Sequence, residues 1–179
     1  MSISPINIAL WMLSGFFLSL MPSLLKQTFD IHSAWLNGIS FSIMTLSGAL
    51  GILLLRKYTS IFILKLGTIS LIVGNISLLF AIHWTNIVVL FLAALIAGFG
   101  FGTSFMGAIR FVAPLALPDE RAALMSAFYI ESYLAFSIPA ILIGLIIQKI
   151  GLEMSSNLYI MSIIFLGFVE LFFISKQPK

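Results

Sequence analysis

The sequence predicts an all-α membrane protein of six transmembrane helices in one bundle, and two observations carry that prediction. Hydrophobic residues make up 61% of the 179 and charged residues 8%, with a mean hydropathy of +1.18. That leaves too few polar side chains to cover a water-facing surface. The apolar residues also gather into six runs, about 7–25, 34–55, 60–82, 86–109, 122–147 and 156–175. Each is close to the roughly 20 residues a helix needs to cross a hydrocarbon core of about 30 Å. No linker, low-complexity tract or soluble insertion interrupts them, so residues 1–179 read as a single domain.

The first run follows Met1–Asn7, which carries no Lys or Arg for the charged region of a cleavable signal, so it reads as a retained helix. The second closes on Gly51-Ile-Leu-Leu-Leu-Arg56, and the third carries Lys65 near its start and Asn75 inside it. The fourth holds Gly98, Gly100, Gly102 and Gly107 and ends on Arg110. Between fourth and fifth, Pro118 suits a first helical position, and Asp119 and Glu120 place carboxylates where a helix N-terminus favours them. The fifth run contains Pro139, which interrupts backbone hydrogen bonding and predicts either a static kink or a hinge. The sixth contains Glu170, expected with Lys65 and Asn75 to hydrogen-bond to neighbours or to snorkel. A faint repeat links the second helix end to the fifth, Gly144-Leu-Ile-Ile-Gln-Lys149. It fits an inverted three-plus-three arrangement and is matched at least as well by chance.

The formal charge of +3 points to orientation in the bilayer rather than to nucleic acid. With the amino terminus cytoplasmic, the inner connections and tail hold Arg56, Lys57, Lys65, Arg110, Arg121, Lys176 and Lys179, against Lys26 and Lys149 outside. That bias predicts both termini in the cytoplasm. The chain has no cysteine, which excludes disulfides and thiolate metal sites.

The glycines at 98, 100 and 102 do not form a nucleotide loop, because the spacing is not GxGxxG and no strand precedes them. Gly98 and Gly102 at i, i+4, with Gly107 beyond, predict close helix packing instead. Glu131 is the most informative single residue. Counted from a helix start near Arg121 it lies about 15 Å in, near the membrane midplane, where a charge costs about 2.5–3.5 kcal/mol on insertion scales. Two readings stand side by side: a residue that binds protons or a cationic substrate group, and a carboxyl hydrogen-bonded between helices. Ser126, Tyr129, Tyr133 and Ser137 form a polar stripe on the same helix, and at 100° per residue Glu131 points away from it. Either Tyr129 and Tyr133 touch substrate or they pack with a satisfied hydroxyl. Arg110, Asp119, Glu120 and Arg121 form an inner-face cluster, readable as gating ion pairs or as an orientation signal. Enzyme readings fare poorly, since His32 and His83 fall at the outer span ends and the six carboxylates mostly lie at helix ends. No catalytic residue, metal site or cofactor is expected.

Three segments resemble a known family. Gly107–Arg110 reads GAIR, Leu117–Ala122 reads LPDERA, and Ser132–Gly144 reads SYLAFSIPAILIG. Together, within Gly98–Leu145, they are similar to the tenth and eleventh helices of bacterial major facilitator superfamily permeases of the efflux type. GFFLSLMPSLL at Gly15–Leu25 looks like the seventh. In order, all six spans match the C-terminal half, most specifically in the fourth and fifth. One departure is Leu55, where the family's inner loop often carries an acid, so a gating role for that loop is not expected.

The resemblance implies a bacterial cytoplasmic-membrane location, a three-plus-three inverted repeat and alternating access between two halves. It makes Ser14, Ser19, Ser23, Thr103 and Ser104 cavity candidates. The leading expectation is therefore secondary transport of a small organic solute, with proton-coupled efflux, by a half-sized or truncated chain. The partners it implies are lipid and a homodimer partner or a separate N-terminal half. The alternatives are a non-transporting six-helix scaffold or accessory subunit and an inactive fragment.

Overall fold

A computed structural model describes residues 3–117 and 119–176, apart from the Ala34 side chain. Pro118, expected to open the fifth span, and Lys179, counted among the inner basic residues, lie outside the described residues. Every regular element in the described residues is helical: α1 Ser4–Ser19, α2 Met21–Gln27, α3 Ala34–Leu55, α4 Ser60–His83, α5 Ile87–Val112, a short 3-10 turn Ala113–Leu115, α6 Arg121–Ile150 and α7 Leu152–Ser175. Five helices are long and apolar enough to cross a membrane, or six if α1 and α2 count as one broken span.

That break falls inside the first predicted run, about 7–25, read as one retained helix. The chain bends by 44° between α1 and α2. Pro22 has no N–H for the Leu18 carbonyl and its ring crowds that carbonyl. Ser19 Oγ also donates back to Gly15 O at 2.6 Å, a contact that tends to bend helices. Pro139 behaves differently, since α6 runs through it without interruption.

Helix ends follow local chemistry. Asn86 caps α5 by accepting from Val88 N at 3.0 Å and Val89 N at 3.2 Å. Gly151 alone joins α6 to α7 with φ +82°, ψ 166°, backbone that a Cβ would strain. The sixth span was expected from 156 and begins instead at Leu152. Polar Glu153, Ser155 and Ser156 hid its first turn, although a carboxylate there suits a helix N-terminus.

The closest packing is between α4 and α5, then α3 and α5, with α1 against α6 and α7, and α4 against α7. Small residues permit this. A Cβ on Gly98 would meet the Met44 carbonyl oxygen, one on Gly102 the Gly48 carbonyl oxygen, and one on Gly48 would fall 2.9 Å from Gly98 O. Gly107 faces Leu64 across the α4–α5 seam. Hydroxyls bind across the same seams: Ser47 Oγ donates to Leu95 O at 2.5 Å and Ser70 Oγ to Ile96 O at 2.7 Å. Gly98, Gly102 and Gly107 all lie at these helix contacts. Gly51 and Gly144 are not equivalent, because Gly51 sits against Thr103 and Phe99 whereas nothing lies within 4 Å of Gly144.

The core centres on α1, where Ile6, Leu10, Leu13 and Phe16 are fully buried. By contrast α3 and α6 are the least covered spans, with 28% and 17% of their most apolar window buried against 50% for α4 and α5. Their outer faces present Leu46, Leu50 and Leu53, and Tyr133, Ile141 and Leu145.

Candidate functional site

The first two turns of α1 bring polar side chains against the middle of α6. Ser4 Oγ donates to Glu131 Oε2 at 3.1 Å. Asn7 is fully buried, its Nδ2 donating to Phe128 O at 3.4 Å while its Oδ1 accepts from Ser132 Oγ at 3.2 Å. Ser132 Oγ also lies 2.8 Å from Phe128 O. These contacts fix the register of α1 on α6, because buried amides and hydroxyls without partners cost free energy.

They also set the level of Glu131 relative to α1. Ser4 is the first residue of α1, so the carboxylate stands level with the start of α1, not with its middle. α6 is 30 residues long and begins at Arg121, ahead of that level. Glu131 Oε1 is buried and has no hydrogen-bond partner among the described residues. On one flank of the α1–α6 seam lies an apolar groove of about 490 Å³, walled by Ile8, Ile130, Leu134, Ile138 and Pro139, with Glu131 in its lining.

Tyr129 and Tyr133 are exposed and take no part in that groove, as the 100° spacing predicted. Tyr133 instead approaches Trp11 of α1, ring centroids 6.2 Å apart. Trp11 also packs edge-on against Phe101 and Phe105 of α5, at 6.5 and 6.4 Å. Its indole Nε1 is buried without an acceptor among the described residues. The α1–α6 seam therefore has a carboxylate flank and an aromatic flank.

The remaining predicted residues scatter. Ser14 is buried in α1, Ser19 is bound to its own helix, and Ser23 is half-buried in α2. Thr103 and Ser104 are fully buried beside Gly67, inside the α4–α5 seam. Asp119, Glu120 and Arg121 are exposed and Arg110 is half-buried. Among the described residues the ion pair within reach is His32–Asp30 at 3.2 Å, and none joins that cluster.

Sequence reasoning missed Ser4, Asn7, Trp11 and Ser132. The available signal was polar or amphipathic side chains within apolar runs, at spacings that share a helix face. Glu170 departs from expectation as well. It does not snorkel but is fully buried, near the Ile6 backbone, with neither carboxylate oxygen in hydrogen-bond geometry with a described residue. Among the described residues no three His, Asp or Glu side chains converge on a metal-sized site. No family model and no curated protein matches the chain.

Proposed function

We propose that this chain is the C-terminal six-helix half of a major-facilitator-type secondary transporter of the bacterial cytoplasmic membrane, exporting a small organic solute by proton-coupled alternating access. The observation that carries the reading is the pattern of helix pairing. Exchanging α1, α3 and α4 with α5, α6 and α7 turns the α1–α6 contact into α5–α3 and the α4–α5 contact into α7–α1, and leaves α4–α7 and α1–α5 in place. An inverted three-plus-three repeat has that property. The α6–α7 contact is the exception, for α3 and α4 hardly touch. Both termini lie in the cytoplasm in this reading.

The two least covered spans, α3 and α6, are counterparts under the same exchange. Their apolar faces fit a second six-helix unit, either another copy or a separate N-terminal half. Those uncovered faces also favour a second reading, a scaffold or accessory subunit that pairs with another membrane protein and moves nothing itself.

Within the transporter reading Glu131 takes up and releases the coupled proton or holds a cationic group of the solute. Its hydrogen bond to Ser4 ties the carboxylate to α1, so a change of charge at Glu131 alters how α1 meets α6. The Arg110 and Asp119–Arg121 cluster, which has no ion pair among the described residues, forms its ion pairs in the other conformation. Transport followed against pH in Glu131→Gln tests the assignment: flux loses its pH dependence. Unchanged flux and unchanged proton coupling remove Glu131 from the mechanism.

A further inference from the structure

The groove beside Glu131 has the form of a site for an amphiphile. Among the described residues Glu131 is its one ionisable lining residue, and no Lys, Arg or His lines it. From Glu131 the apolar wall continues through Leu134 and Ile138 to Pro139, about 12 Å along α6 at 1.5 Å per residue. The carboxylate stands level with the first residue of α1, and the wall runs from there along α6 to Pro139. The groove volume of about 490 Å³ is within the range of about 300–1,000 Å³ of small-molecule sites.

We propose that the α1–α6 groove takes a single-chain amphiphile with a protonated amine head from the surrounding bilayer, the head at Glu131 and the chain along Leu134 and Ile138. This rests on reading Glu131 as the functional carboxylate and names the class of solute it serves. Charge selects the head: Glu131 Oε2 is held by Ser4, Oε1 has no partner among the described residues, and an N–H donor supplies one. Reaching Oε1 requires only rotation about the terminal torsion of the side chain, which is broad for Glu. A phospholipid is disfavoured because its phosphate finds no basic side chain in the lining and meets Glu131 with like charge.

The test uses the protein in phosphatidylcholine vesicles with chain-nitroxide probes, comparing a long-chain alkylamine, the matching alkanol and phosphatidylethanolamine. Electron paramagnetic resonance reads the motionally restricted fraction of each. The wild-type chain holds the alkylamine about tenfold more tightly than the alkanol, the contribution of one charge-assisted hydrogen bond. Glu131→Gln brings the two level, and Ile138→Trp, which fills the groove at an exposed position, does the same with the carboxylate intact. Equal binding of amine and alkanol by the wild type overturns the proposal, as does a preference that survives either substitution or a stronger preference for phosphatidylethanolamine. Circular dichroism identifies a variant that fails to fold, in which case the other substitution decides. No transport is involved, so an absent preference leaves the transporter reading standing, and absent flux beside an intact preference removes that reading alone.

Discussion

Placing a methyl group on Gly98 is the most direct probe of how α3 meets α5. In Gly98→Ala the new Cβ collides with the Met44 carbonyl oxygen. That obstacle is backbone, so no rotamer change relieves it and one helix must move. Overpacking of this kind costs about 1–3 kcal/mol. Displacing α5 also stretches the Ser47–Leu95 hydrogen bond of 2.5 Å in the same seam, worth about 0.6 kcal/mol in a membrane helix pair. Against this, alanine gains about 0.5–1 kcal/mol over glycine in a helix interior. Gly144→Ala isolates that gain, because nothing lies within 4 Å of its Cβ position. The two variants, measured by reversible unfolding in mixed micelles, should differ by about 1–3 kcal/mol with Gly98→Ala the weaker. Equal stabilities would refute the close approach of α3 and α5.

Three further substitutions test other parts of the account. Asn86→Ala removes the cap that holds Val88 N and Val89 N and should cost about 1 kcal/mol, with faster amide exchange confined to the first turn of α5. Glu170→Met replaces a fully buried carboxyl, without a hydrogen-bond partner among the described residues, by an apolar chain of similar length. Unfolding should show it about 1–4 kcal/mol more stable, and a loss of stability would mean that the carboxyl is held by a group it does not contact in this conformation. Ser70→Ala deletes the bond to Ile96 O and should cost about 0.6 kcal/mol in the same assay, with the α4–α5 spacing kept.

The helices themselves were legible because a bilayer leaves the backbone few alternatives and apolar length marks each span. Packing by Gly98 and Gly102 was legible for the same reason, since small residues at i, i+4 have one evident use in an apolar helix. The divergence of Glu131 from Tyr129 and Tyr133 followed from helical periodicity alone. What escaped was relative placement. Glu131 looked central on its own helix, and only the register of α1 on α6, set by Ser4, Asn7 and Ser132, shows that it stands at the end of α1. Thr103 and Ser104 looked available to a cavity, yet their burial depends on Gly67 of a different helix. Glu170 was expected to hydrogen-bond to neighbours or to snorkel, and snorkelling fails where a neighbouring helix closes over the side chain. The α1–α2 bend was readable in Pro22, and the apolar run across it masked the signal.

The account stands most directly on solute movement by the chain. The purified protein, its oligomeric mass determined in detergent, is reconstituted into proteoliposomes, and flux of candidate organic solutes, long-chain amines among them, is followed with and without a proton gradient. The account predicts gradient-dependent flux from a preparation whose mass shows a second six-helix unit beside each chain. A monomer with no flux for any solute contradicts it.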